Sequence, residues 1–118
     1  MTTYGINYIN KRGDTRQAIK GTLIKPNGTP DDLTDATIMF VMKGQRRGSS
    51  VIINKEADIV GNPEEGVVLY AFDDEDLEEA GNFLAEFKAT YPDGRRETYP
   101  KSGYINIRIE EDLLGGGS

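Results

Sequence analysis

The stretch Phe83-Leu84-Ala85-Glu86-Phe87-Lys88-Ala89-Thr90-Tyr91 places Phe83, Ala85, Phe87, Ala89 and Tyr91 on one side and Leu84, Glu86, Lys88 and Thr90 on the other. A clean period of two over nine residues is the pattern of a half-buried β-strand, not of a helix. Pro92-Asp93-Gly94 follows at once and predicts a tight hairpin turn into a second strand over residues 95–99.

The same period recurs on both sides. Toward the C-terminus, Ile105, Ile107 and Ile109 share one face and Tyr104, Asn106 and Arg108 the other. Toward the N-terminus, residues 67–72 alternate Val68, Tyr70 and Phe72 against Val67, Leu69 and Ala71. Residues 36–43 are almost continuously apolar, which predicts a strand buried on both sides or covered by a partner. Residues 51–53 and 57–60 form two short strands or one bent one, and residues 18–25 carry Ile19, Gly21 and Leu23 on one face. Tyr4, Ile6 and Tyr8 mark a first strand ending near Asn10. Pro26-Asn27-Gly28-Thr29-Pro30 and Asn62-Pro63-Glu64-Glu65-Gly66 are turns. Only residues 73–80 suit a helix, of one or two turns, with an acidic start and Gly81 to end it. The sum is an all-β chain of about eight strands, with one short helical turn, in an antiparallel two-sheet sandwich.

At 118 residues the chain is long enough for one domain with its own core, and 27 of those residues are Leu, Ile, Val or Phe. Residues 1–112 are expected to form that domain and residues 113–118, ending Gly115-Gly116-Gly117-Ser118, a flexible tail. With no His and no Cys, the sequence excludes Ser-His-Asp and Cys-His triads, thiol redox chemistry and ordinary zinc sites. The net charge of -6 repels phosphate backbones and anionic lipid headgroups, so neither nucleic acid nor membrane is an expected partner. No segment approaches the length of a membrane span.

Several clusters invite a functional reading. Arg12-Gly13-Asp14 is an integrin-type triplet, and it is also ordinary turn chemistry. Asp73-Asp74-Glu75-Asp76 lacks the alternating ligands and central glycine of a calcium loop. It is expected to be a solvated helix start whose replacement leaves the fold nearly unchanged. Asp31, Asp32 and Asp35 are expected to satisfy turn amides. Nothing in the sequence sets two carboxylates across a cleft, so no catalytic residue, cofactor or metal ligand is assigned. Arg95 and Arg96 in the hairpin, and Arg46 and Arg47 in an earlier loop, are the basic clusters able to grip a carboxylate-rich surface.

An ordered set of blocks carries a resemblance: residues 32–42, beginning Asp32-Leu33-Thr34-Asp35, then Gly66-Val67-Val68-Leu69-Tyr70, Ala80-Gly81-Asn82-Phe83, Tyr91-Pro92-Asp93-Gly94-Arg95-Arg96-Glu97-Thr98-Tyr99-Pro100 and Gly103-Tyr104. Together with Gly13-Asp14-Thr15 and Ile19-Lys20-Gly21-Thr22-Leu23, they resemble the N-terminal domain of phage baseplate upper proteins from about Gly13 to Ile109. That resemblance implies an immunoglobulin-like β-sandwich in the virion of a tailed phage, assembled in the bacterial host cytoplasm. Such a module is a structural one, present in multiple copies and attached to a tail or baseplate hub, neck or capsid protein. It implies no catalytic residues. A second reading is a cell-surface adhesion module that binds a receptor or glycan through Arg12-Gly13-Asp14 or the acidic loops. On either reading function lies in docking. The first two strands and the final strand are the expected edge elements, and Tyr4, Tyr8 and Tyr104 the expected contact residues, joined by Arg95 and Arg96.

Overall fold

The computed structural model describes residues 7–11, 18–100 and 103–111. Eight strands follow one another: β1 (Asn7–Lys11), β2 (Ala18–Thr22), β3 (Thr37–Gly44), β4 (Val51–Ile59), β5 (Val67–Ala71), β6 (Gly81–Thr90), β7 (Arg96–Tyr99) and β8 (Ile105–Glu110). They pair in the order β1-β8-β6-β3-β4-β5-β2, with β7 also on β6. No helix among the described residues is long and apolar enough to cross a membrane.

The strand that decided the fold is the central one. β6 lies against β3 on one side, and on the other it is shared: Gly81–Ala85 faces β8 and Phe87–Thr90 faces β7. Phe83, Ala85, Phe87 and Ala89 are all buried, as the alternation requires. Residues 51–60 turn out as one bent strand. β4 pairs with β3 from Val51 to Ala57, and its last residues, Asp58 and Ile59, pair with β5. This curls the sheet over on itself and makes the sandwich. The rings then meet across the fold: Phe40 of β3 stacks on Tyr70 of β5 with centroids 4.5 Å apart and planes 8° from parallel. Phe40, Tyr70, Phe72, Phe83 and Phe87 share one core, together with Ile19, Ile105, Ile107 and Ile109.

Four points of the fold refine or correct the expectations. β1 pairs with β8 in parallel, so the sandwich is not wholly antiparallel. The final strand is not an edge, because β8 lies between β1 and β6; β1 and β2 are the two ends of the order. The segment after β5 holds no α-helix, only a 3-10 turn, Asp74–Leu77, and a second such turn spans Pro63–Glu65. β3 buries Ile38, Phe40 and Met42, while Met39 and Val41 on its other face are only half-buried. Tyr4, Ile6 and Arg12-Gly13-Asp14 lie outside the described residues.

Candidate functional site

The hairpin after β6 is built by local chemistry. The Tyr91 carbonyl accepts the Gly94 amide at 2.9 Å, Gly94 takes the left-handed φ of 89° that glycine tolerates, and the Asp93 carboxylate accepts the Arg95 amide at 3.0 Å. That backbone bond, and then the Arg95 guanidinium 2.7 Å away, hold the Asp93 carboxyl below its usual range. Arg95 and Arg96 stand exposed at its tip.

Long-range bonds tie this hairpin to the connection between β2 and β3. Tyr91 and Tyr99, at the two feet of the hairpin, both donate their hydroxyls to the same oxygen of Asp31, and the two hydroxyls are 3.4 Å apart. Asp31 is itself fixed by its amide, which donates to the Leu23 carbonyl at 2.8 Å. The expectation that Asp31 serves turn amides is therefore overturned: it is buried and accepts phenols. Asp32 does what was expected, accepting the Thr34 amide at 3.0 Å and hydroxyl at 2.6 Å. Around this carboxylate lies a cleft lined by Lys25, Pro26, Asp32, Arg95, Arg96 and Glu97.

The acidic run holds a second network. The Lys55 ammonium donates to Asp73 at 3.0 Å, Glu75 at 2.7 Å and Asp76 at 3.1 Å. These three carboxylates are close enough together to have held a metal ion. In this fold an ammonium supplies the positive charge, and its bonds to Glu75, Asp73 and Asp76, in that order, push the lysine well above its ordinary range. Asp76 is not solvated as expected: it is buried, accepting the Tyr70 hydroxyl at 2.6 Å and the Asp73 amide at 2.8 Å. Removing it would strand a buried phenol, so the run is not neutral to the fold.

These phenols give a pH prediction. Burial first, then the bond to Asp31, pushes Tyr91 up to about 12, with the Tyr99 contact opposing. Tyr99 is raised by burial, then by Asp31 and Tyr91, and Tyr70 by burial, then by Asp76. Each folded-state value exceeds the unfolded one, about 10. Their contribution is therefore complete below about pH 10 and is lost as pH rises through the folded values. Absorbance titration of the phenolates should show Tyr70, Tyr91 and Tyr99 ionising late, together with unfolding. Ionisation of all six tyrosines near pH 10 with the fold intact would contradict these networks.

Among the described contact residues, Tyr104 stands apart from the arginine pair. Arg96 lies opposite Thr90 and Ile105 opposite Ala85, so Ile105, the neighbour of Tyr104, is roughly 17 Å along β6 from Arg96, taking about 3.4 Å per residue. Tyr104 is exposed. Tyr8 is on β1, in register with Ile107, and Tyr4 is outside the described residues. The exposed apolar pair Val51 and Ile52 at the start of β4 was not foreseen, because a strand pattern does not reveal where a sandwich stops covering it.

Residues 10–113 match the family model described as BppU N-terminal domain. No curated protein matches the chain. Among solved structures it is similar to the N-terminal domain of phage TP901-1 ORF48, with a TM-score of 0.61 and 19% identity over 90% of this chain and 85% of that one, a likeness of fold.

Proposed function

The chain belongs to the BppU N-terminal domain family of phage baseplate structural proteins, and from that premise we propose that it docks onto a tail or baseplate hub, or another virion ring, and catalyses no reaction. The match along nearly the whole chain carries this reading, because it covers β2 to β8 entire and reaches the end of β1. Its place is the virion, and its partners are other virion structural proteins. Several copies on a symmetric ring would gain by multivalency what one small sandwich cannot supply alone.

The docking face is the β6–β7 hairpin. The Tyr91–Asp31–Tyr99 bonds brace the turn that presents Arg95 and Arg96, so the two guanidiniums stand on rigid support. Planar guanidiniums suit the carboxylates of an acidic partner surface, met locally in a protein whose overall charge is -6. Tyr104 and the β1 edge with Tyr8 are further contacts along the same molecule.

Arg95→Glu with Arg96→Glu should keep the thermal midpoint, since both side chains are exposed, and should abolish incorporation into particles, because like charges across an interface cost several kcal/mol. Tyr104→Ala should weaken incorporation less. Normal incorporation of the double variant would place the docking face elsewhere.

A further inference from the structure

Two hollows of the sandwich run into one another. The first is an apolar groove of about 230 Å³ beside β2, walled by Ile19, Leu23, Phe87, Pro100 and Ile105. The inward row of β2 has a gap here: Ile19 and Leu23 are buried, but Gly21 stands between them, and a Cβ built there would meet no heavy atom within 4 Å. An apolar cavity of roughly 150 Å³ already takes a benzene ring, so the groove has room for a large side chain. The second hollow is the cleft beside Arg95 and Arg96, and Tyr99 lines both. Ile24 lines the groove and its neighbour Lys25 lines the cleft, so the two also join along this segment. At that junction Ile24 is 40% exposed.

The two halves differ in charge. All three acids of the cleft are engaged: Asp31 with Tyr91 and Tyr99, Asp32 with Thr34, and Glu97 as well. Lys25 and Arg96 are exposed and enter no ion pair among the described residues. An apolar pocket therefore leads into a positive surface, and an anchor side chain in a pocket with a polar rim is the usual anatomy of a strong contact. Arg96 lies three residues before Tyr99 on β7, about 10 Å away at roughly 3.4 Å per residue. An extended partner chain covers that distance in the same number of residues. Building on the reading of the hairpin as the docking face, we propose that this surface takes an extended acidic segment of a partner virion protein. One large apolar side chain of that segment fills the groove at Gly21, and a carboxylate about three residues away meets Lys25 and Arg96.

Ile24→benzoylphenylalanine in the full chain places a photo-cross-linker at the junction. Photolysis of particles carrying it should link it to another virion protein, at a segment with a large apolar residue and an Asp or Glu about three positions from it. Capture of a basic or wholly polar segment, or no link at all, overturns the proposal. A link to a second copy of this chain, or within the chain itself, also overturns it and assigns the groove to that occupant. Gly21→Leu has open space and no positive φ, so it should fill the groove without lowering the thermal midpoint and cut incorporation into particles at least tenfold. Should that variant fail to fold, Ile24→Glu at its exposed position should give the same loss, through a missing apolar contact and repulsion of the acids. Normal incorporation of the folded groove variant beside a failing Arg95→Glu, Arg96→Glu variant overturns the groove and keeps the hairpin reading. The reverse pattern overturns the hairpin reading and the acidic partner with it, and normal incorporation of both overturns both.

Discussion

Phe40→Ala should lower the free energy of unfolding by about 3–5 kcal/mol, measured by urea denaturation. Phe40 is wholly buried on β3, between β4 and β6. Its ring stacks on Tyr70 and meets Phe87 and Phe72 edge-on at centroid distances of 5.3 and 6.2 Å. Truncation removes the transfer free energy of the ring and leaves a cavity whose walls are other rings fixed on different strands, which cannot all collapse inward. Each lost aromatic pair adds about 0.5–1.5 kcal/mol beyond buried area. A domain of this size is typically stable by about 5–15 kcal/mol, so one side chain holds a large share of the total. Phe83→Ala, at a buried position outside these ring pairs, should cost less. A loss below about 1 kcal/mol for Phe40→Ala would mean that the two layers are not joined through this ring.

The parts of the fold visible in the sequence are those set by local periodicity. β6 and β8 alternate without interruption because each has one face on the core, and a period of two follows from the pleat alone. The hairpin was visible for a similar reason, since Asp93 and Gly94 bond to their own neighbours. What stayed hidden depends on pairs distant in sequence. Asp31 and Asp76 look like their acidic neighbours, and both are buried because a phenol from another element needs an acceptor: Tyr91 and Tyr99 for Asp31, Tyr70 for Asp76. Lys55 gave no signal on β4, since its three carboxylates lie beyond β5. The parallel pairing of β1 with β8 is equally non-local, and it moves the final strand from edge to interior. Of the candidate site, residue types were legible at Arg95 and Arg96, and the support beneath them was not.

That support makes Asp31→Ala the sharper test of structure and docking together. The substitution should destabilise the protein by about 2–4 kcal/mol. Hydrogen bonds to a charged group contribute about 1.5–3 kcal/mol each, and a stranded buried hydroxyl costs about 1–3 kcal/mol. Tyr99 is buried and Tyr91 half-buried, so the second loss is smaller, and relief of a buried carboxylate offsets part of the whole. Asp31→Asn keeps an acceptor oxygen and should lose less. Both feet of the β6–β7 hairpin are released in the alanine variant while Arg95 and Arg96 remain in place. If docking needs those guanidiniums held in one geometry, incorporation into particles should fall at temperatures where the variant is still folded, and Asp31→Asn should restore most of it. Undiminished stability would mean that the two phenols find other partners at little cost. Reduced stability with normal incorporation would separate the brace from the docking face and leave Asp31 as a support of the core alone.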